Sequence, residues 1–195
     1  MIRFFDVLFS LIGLVLLFPV FVFLSLIINL TSKGGVFYLQ KRIGRNSEPF
    51  MLYKFRSMYV SSDKAGLLTV GKKDPRITPI GYFIRKYKLD ELPQLFNVIK
   101  GEMSLVGPRP EVEKYTRLYT NEQKKVLSVV PGITDYASIH FSNENELLDA
   151  VSNPEEYYIK EIMPEKLKLN LIYINNYNLK NYFTIIFKTL LKIVD

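Results

Sequence analysis

Asp90 and Glu91 are adjacent carboxylates in a chain that places cations on both sides of them. Arg85 lies one to two helical turns upstream. Arg109 lies downstream, held between Pro108 and Pro110. Lys54 and Arg56 follow Tyr53 in an aromatic-rich run. Two acids at a helix start need no chemistry to explain them, since capping and the helix dipole favour them by about 0.3–1 kcal/mol. Acids ringed by arginine forks and a lysine point charge form a different setting, one matched to phosphate oxygens. In it a carboxylate can ligate Mg²⁺, which usually takes one or two carboxylates plus substrate phosphates. A carboxylate can also attack phosphorus and form an acyl phosphate. The cations would then offset charge on the transferring group.

Composition removes most competitors. The 195 residues contain no cysteine, which excludes disulfides and thiolate metal sites. His140 is the only histidine, so a histidine metal cluster is excluded and a Ser–His triad is disfavoured. No Walker A or dinucleotide glycine motif is present. The net charge of +7 suits an anionic partner such as a phosphorylated ligand, an anionic lipid or a nucleic acid. No recognised nucleic-acid module accompanies it, and nucleic acid is set aside.

The elements that must position these residues read as an α+β, mostly helical chain. Residues 36–40 and 50–56 have strand character, with a turn at 44–47 between them. A polar loop spans 61–73, and Asp74-Pro75 and Thr78-Pro79 mark turns. A basic helix covers 80–88. Leu92, Leu95, Phe96 and Ile99 then share one face of a short helix, with Asp90 as N-cap and Gly101 as stop. Residues 111–129 read as a polar helix, 135–141 as strand-like or irregular, and 164–177 and 180–194 as helices. Phe183, Ile186, Phe187, Leu190, Leu191 and Val194 share a face flanked by Lys180, Lys188 and Lys192. That face suits packing against the domain or an interfacial membrane helix with snorkelling lysines.

The N-terminus carries a second signal. From Val7 to Ser32 no residue is charged, a stretch longer than the roughly 20 apolar residues that cross a bilayer. It is too long for a signal-peptide core and lacks a cleavage site. It is also too uniformly apolar for a core helix in a chain of this size. Pro19 sits mid-stretch and removes a helical hydrogen bond. Two readings remain: a kinked spanning helix, or a re-entrant helix that bends at Pro19 and leaves on the side it entered. Arg3 precedes the segment and Lys33, Lys41, Arg42 and Arg45 follow it, which puts the domain on the cytoplasmic side. The division is a membrane segment, 1–32, and a cytoplasmic catalytic domain, 33–195.

Six motifs occur in order: Gln40-Lys41-Arg42-Ile43-Gly44, Tyr53-Lys54-Phe55-Arg56-Ser57-Met58, Asp74-Pro75-Arg76-Ile77-Thr78, the run from Leu89-Asp90-Glu91-Leu92-Pro93 to Val98, the run from Lys100 to Gly107-Pro108-Arg109-Pro110, and Pro131-Gly132-Ile133-Thr134. With them the chain resembles, over nearly its whole length, the bacterial sugar transferases. These are small monotopic polyprenyl-phosphate phosphoglycosyl transferases. The resemblance implies transfer of a sugar 1-phosphate from a UDP-sugar to polyprenyl (undecaprenyl) phosphate. UMP leaves and a polyprenyl-diphosphate sugar forms, the first membrane step of bacterial glycan assembly. It implies Asp90 as nucleophile with a covalent phosphosugar intermediate, and Glu91 as partner acid. It implies Mg²⁺ as cofactor, for which Asp90 and Glu91 are the expected ligands, and Arg85 and Arg109 as phosphate-binding positions, to which the residue pattern adds Lys54 and Arg56. It also implies a re-entrant helix bent at Pro19, membrane lipids as partners, and the cytoplasmic face of the bacterial plasma membrane as location.

Three positions depart from the family pattern. Phe18 stands where a serine often precedes the membrane proline, so no hydroxyl caps the freed backbone there. Ser142 stands near a position often held by arginine, and Ser47 where glycine is common. A non-catalytic membrane scaffold and a nucleotide-sugar or lipid phosphatase on the same fold are the alternatives. The sequence leaves the particular sugar, the glycan pathway and the oligomeric state unread.

Overall fold

The computed structural model describes residues 1–66, 68–71 and 74–194. Leu67, Lys72 and Lys73 of the expected 61–73 loop, and the Val194 side chain, lie outside the described residues. The chain is mostly helical, with two small two-stranded sheets.

Helix α1 (Ile2–Thr31) is built from an almost unbroken run of Leu, Ile, Val and Phe. Pro19 lies inside it, and the helix continues on both sides. It is long and apolar enough to cross a membrane, and only a small part of it is buried by protein. Both of its ends nevertheless dock on the rest of the chain. Ile2 packs with Val106, Tyr173, Tyr182 and Ile185. Phe21, Leu24 and Ile28 pack with Phe55 and Ile84. Arg3 donates to the carbonyls of Val98 (2.6 Å) and Ile99 (3.0 Å), and Asp6 is 2% exposed. Residues of the segment 1–32 thus pack into two hydrophobic clusters with residues that follow it.

Strands β1 (Phe37–Ile43) and β2 (Pro49–Phe55) pair antiparallel, from Phe37 opposite Phe55 to Ile43 opposite Pro49. The turn between them holds Asn46 at φ 57° and Ser47 at φ 65°. Positive φ at Ser47 explains why glycine suits that position. Helix α2 (Pro79–Lys86) starts as expected, with Thr78 as N-cap accepting from the Gly81 amide at 3.0 Å.

The next helix corrects the sequence reading. Asp90 is not its N-cap: residues Leu89–Glu91 form a single 3₁₀ turn entered through Lys88 at φ 56°. Helix α3 (Gln94–Lys100) begins only after Pro93 and ends, as read, at Gly101 with φ 89°. The 3₁₀ turn lifts both carboxylates out of the regular helix surface. Asn97 of α3 then locks β2 in place. Its Oδ1 accepts from the Tyr53 amide (3.0 Å), and its Nδ2 donates to Met51 O (2.8 Å) and Glu102 Oε2 (2.7 Å).

Strands β3 (Ser104–Val106) and β4 (Gly132–Thr134) form a parallel pair that the sequence reading did not contain. Their backbones meet closely: a Cβ on Gly132 would stand 2.0 Å from Gly107 N. Only glycine permits that approach.

The polar helix expected at 111–129 is two shorter pieces, α4 (Glu113–Thr116) and a 3₁₀ turn at Gln123–Ser128. Thr120 and Gln123 interrupt it with a reciprocal pair, Thr120 N to Gln123 Oε1 (2.9 Å) and Gln123 N to Thr120 Oγ1 (3.3 Å). The stretch read as strand-like is helix α5 (Tyr136–His140), capped by Asp135. Helices α6 (Glu144–Asp149), α7 (Pro154–Tyr157), α8 (Met163–Asn175) and α9 (Leu179–Val194) complete the chain. Helix α9 is apolar on two sides. Tyr182 and Ile185 are buried, whereas Phe183, Phe187, Leu190 and Leu191 are exposed.

Candidate active site

A cavity of about 1060 Å³ is lined by Lys54, Arg85, Asp90, Glu91 and Arg109, so the structure brings five of the six proposed chemical residues together. They arrive on four separate supports. Lys54 comes from β2, Arg85 from the last turn of α2, the acids from the 3₁₀ turn, and Arg109 from the loop after β3.

That loop is pinned on both flanks. The Arg109 amide donates to Asp135 Oδ2 at 3.1 Å. On the other flank Arg42 Nη1 donates to Pro110 O (3.2 Å) and Glu111 Oε1 (2.9 Å). Glu111 also accepts from the Val112 amide (2.8 Å) and from Tyr158 Oη (2.5 Å). Sequence reasoning passed over Glu111, whose signal was its place beside the Pro-Arg-Pro motif, and included Asp135 only as the start of a 135–146 segment whose side chains could choose the sugar.

Arg109 turns a planar fork on Glu91. Its Nη1 donates to Oε2 at 3.0 Å and its Nη2 to Oε1, while Nη1 also reaches Ile133 O at 3.0 Å. Lys54 Nζ lies 3.6 Å from Glu91 Oε1. Burial opposes charge on Glu91, but Arg109 and Lys54 outweigh it and hold its carboxyl well below the usual range. Burial pushes the Lys54 ammonium the other way, below its ordinary pKa, with Glu91 and Asp90 resisting.

Asp90 is the contrasting acid. It is 4% exposed, and its Oδ1 is buried without a hydrogen-bond partner. Burial raises its carboxyl above the ordinary range, Lys54 and Arg85 pull it back, and Glu91 adds to the rise. Two neighbouring acids thus play different parts. Glu91 is a fixed anion that orients cations, and Asp90 is a carboxylate with a free oxygen. Arg85 reaches the cavity with its Nη2 donating to Thr69 Oγ1 at 2.9 Å.

Arg56 stands apart. It follows the end of β2, and its guanidinium donates to Gly35 O (2.9 Å), Gly34 O (2.7 Å) and Phe37 O (3.2 Å). It ties the link after α1 to the first sheet and does not line the cavity. Ser142, by contrast, is on the cavity wall.

A divalent cation fits these residues in one way. Among the described residues no group of three or more acids or histidines could enclose a metal. Asp90 offers a buried oxygen without a protein donor, and Glu91 stands beside it. Such a pair suits Mg²⁺ completed by substrate phosphates rather than a cage made by protein alone.

The whole chain, residues 1–195, matches the family described as bacterial sugar transferase. A Bacillus subtilis protein named as a candidate undecaprenyl-phosphate N-acetylgalactosaminyl 1-phosphate transferase is 46% identical over 132 residues, 68% of this chain and 70% of that protein. A UDP-N-acetylgalactosamine-undecaprenyl-phosphate N-acetylgalactosaminephosphotransferase of Aeromonas hydrophila is 38% identical over 160 residues, 80% of this chain and 38% of that protein. A UDP-glucose:undecaprenyl-phosphate glucose-1-phosphate transferase of Klebsiella pneumoniae is 34% identical over 191 residues, 96% of this chain and again 38% of the relative. The chain thus spans well under half the length of the last two. With the whole chain matched and an acid dyad set among phosphate-type cations, this chain belongs to the bacterial sugar transferase family.

Proposed function

We propose that this chain moves a sugar 1-phosphate from a UDP-sugar to undecaprenyl phosphate, releasing UMP and forming an undecaprenyl-diphosphate sugar. One observation carries the reading. Asp90 Oδ1 is a buried, unpartnered carboxylate oxygen in a cavity whose neighbouring side chains are phosphate-type cations. The names of the relatives supply the two substrates.

Asp90 Oδ1 attacks the phosphorus bonded to the sugar. The bond from that phosphorus to the bridging oxygen breaks, and UMP leaves with the electron pair. An oxygen of the lipid phosphate then attacks the same phosphorus, and the bond to Asp90 breaks. A carboxylate attacks without losing a proton, so no general base is needed for the first step. Arg109 and Lys54, held by Glu91, offset charge gathering on the phosphoryl oxygens. Arg85 adds a third cation. Mg²⁺ bound at Asp90 and Glu91 would screen the repulsion between carboxylate and diphosphate.

The lipid acceptor places the reaction at a membrane. We read α1 as re-entering the cytoplasmic face of the plasma membrane, with Pro19 at its bend. In support, Arg3 and Asp6 near one end and Ile28 near the other are held by the same body. Between them Val15, Leu16 and Phe18 are 74%, 72% and 65% exposed. That apolar surface and the exposed side of α9 are what lipid would cover.

The test is UMP release by the purified full chain with Mg²⁺ and either UDP-N-acetylgalactosamine or UDP-glucose, with and without undecaprenyl phosphate. Sustained release only with lipid is expected. Sustained release without lipid would mean hydrolysis, and none across a panel of UDP-sugars would overturn the reading.

A further inference from the structure

Two further residues of the cavity wall carry, like Asp90, a buried atom without a partner. Ser138 Oγ, on α5, and Asn170 Oδ1, on α8, are buried without a hydrogen-bond partner, and both residues line its wall. Asn170 is 4% exposed. Buried polar atoms in native proteins are paired, and exceptions call for an explanation. Among the described residues Ser10 Oγ and Gln94 Nε2 are also unpartnered but lie off this cavity, whereas Asp90, Ser138 and Asn170 all line it.

The geometry ties Ser138 to the catalytic end. Asp135 Oδ2 accepts from the Arg109 amide (3.1 Å), and Asp135 Oδ1 accepts from the Ser138 amide (2.5 Å). One carboxylate therefore fixes Ser138 relative to the loop that carries Arg109. Helices α5 and α8 pack against each other, which brings Asn170 to the same side. Lys166 Nζ, also on the wall, pairs with Glu144 Oε2 at 2.8 Å. The two unpartnered atoms are a neutral hydroxyl and a neutral amide oxygen.

We propose that Ser138 and Asn170 form the subsite that reads the hexose of the donor. Their oxygens hydrogen-bond hydroxyl or amide N–H groups on the sugar ring. The assignment rests on the UDP-sugar reading above. One chemical fact favours the sugar over the base: Asn170 Oδ1 can only accept, and a hexose offers several donors, whereas the uracil of UMP offers one N–H; the ribose hydroxyls are tested by the UMP inhibition below. A site built to hydrogen-bond one substrate group discriminates against an analogue that lacks it, because the protein atom is then left unpaired.

The experiment compares the full-length wild type with Asn170→Leu and Ser138→Ala. It measures kcat/KM and equilibrium binding for UDP-N-acetylgalactosamine and UDP-glucose, and inhibition by UMP. Either substitution should change the ratio of kcat/KM between the two donors by about fivefold or more, the order expected when one hydrogen bond is lost. The binding ratio should move with it, and inhibition by UMP should stay within about twofold, the spread expected for contacts not touched. Ser138→Ala is small enough to fold if Asn170→Leu does not. An unchanged donor ratio in a folded variant overturns the subsite. Weaker UMP inhibition in step with donor binding also overturns it, because the residues would then read the nucleoside. If the wild type binds UDP-sugars but transfers nothing to lipid, the transferase reading fails while the binding ratio still decides the subsite. If it binds no donor across the panel of UDP-sugars, both fall.

Discussion

Tyr182 Oη donates a hydrogen bond to Asp6 Oδ1 at 2.9 Å, joining the first and last helices across 176 residues of chain. The same oxygen accepts from Ser104 Oγ and from the Leu105 amide, each at 2.9 Å. A charged acceptor with three donors is a strong joint. It sits at the start of β3, which leads directly into the loop carrying Arg109.

Asp6→Ala leaves three buried donors without their acceptor. Its cost is set at roughly 2–4 kcal/mol by the value of hydrogen bonds to a charged group. Tyr182→Phe removes one donor and should cost about 1 kcal/mol. Unfolding in mild detergent measures both, and a cycle with the double variant isolates the pair. A neutral Asp6→Ala would show that the joint does not hold the helix.

Topology offers a separate check. The chain has no cysteine, so single cysteines can be introduced at Phe4, which is 65% exposed, and at the exposed Lys124. Both should resist an impermeant thiol reagent in intact spheroplasts and react after lysis. Reaction at residue 4 alone in intact spheroplasts would mean that α1 crosses the bilayer. Pro19→Ala restores the missing helical hydrogen bond and should move part of the population toward crossing.

Arg109→Lys keeps the charge and loses the fork that grips both Glu91 oxygens and Ile133 O. Turnover should fall by roughly 10²-fold or more if the arginine meets charge in the transition state, with thermal stability little changed. Near-normal turnover would make Arg109 a structural brace for the loop.

The acid dyad and its cations were legible because their chemistry is written in residue type: two acids, an arginine between prolines, a lysine in an aromatic strand. Their supports were less so. Three-residue strands such as β3 and β4 carry too few positions for alternation to register, and the Gly107–Gly132 crossing is long-range. Asp90 passed for a helix cap because the apolar spacing of Leu92, Leu95, Phe96 and Ile99 runs smoothly into it. The chain instead takes Lys88 through positive φ and starts α3 after Pro93. Arg56 shares strand parity with Lys54, but β2 ends at Phe55 and the backbone carbonyls of 34, 35 and 37 claim its guanidinium. On α9 the sequence left open whether the apolar stripe packs on the domain or faces a membrane. Tyr182 and Ile185 face the core with Ile186 packed beside them, while Phe183, Phe187, Leu190 and Leu191 face out.

Burial raises the Asp90 carboxyl, so at subsaturating Mg²⁺, where the cation does not counter that rise, the acid limb of kcat/KM should lie above the ordinary aspartate value of about 3.9. The ionised form attacks, so activity is gained as pH rises through that raised pKa and lost below it. Lys54 favours the anion. Lys54→Met removes that help and should move the limb to higher pH, beyond any fall in the plateau. A limb that stays in place or moves down would show that it does not report Asp90.

The nucleophile itself is the last test. Asp90→Asn keeps the shape of the side chain and removes both its charge and its ability to form an acyl phosphate, so turnover should vanish rather than weaken. Glu91→Gln should be severe, because Arg109 and Lys54 lose the anion that orients them, yet some UMP release should survive. Two other schemes compete. In one, lipid phosphate attacks the donor directly and Asp90 only binds metal; in the other, Glu91 is the nucleophile. Geometry favours Asp90 over Glu91, whose oxygens both carry an Arg109 donor while Asp90 Oδ1 has no hydrogen-bond partner, and peptide mapping decides between them. Incubating the enzyme with a sugar-labelled UDP donor and no lipid separates the schemes. A covalent route through Asp90 gives one burst equivalent of UMP, label on the protein, and an adduct on the peptide containing Asp90. Adding undecaprenyl phosphate should then chase the label into lipid. Direct transfer gives no burst and no adduct, with full activity once lipid is present, and that outcome would remove the covalent step from the mechanism.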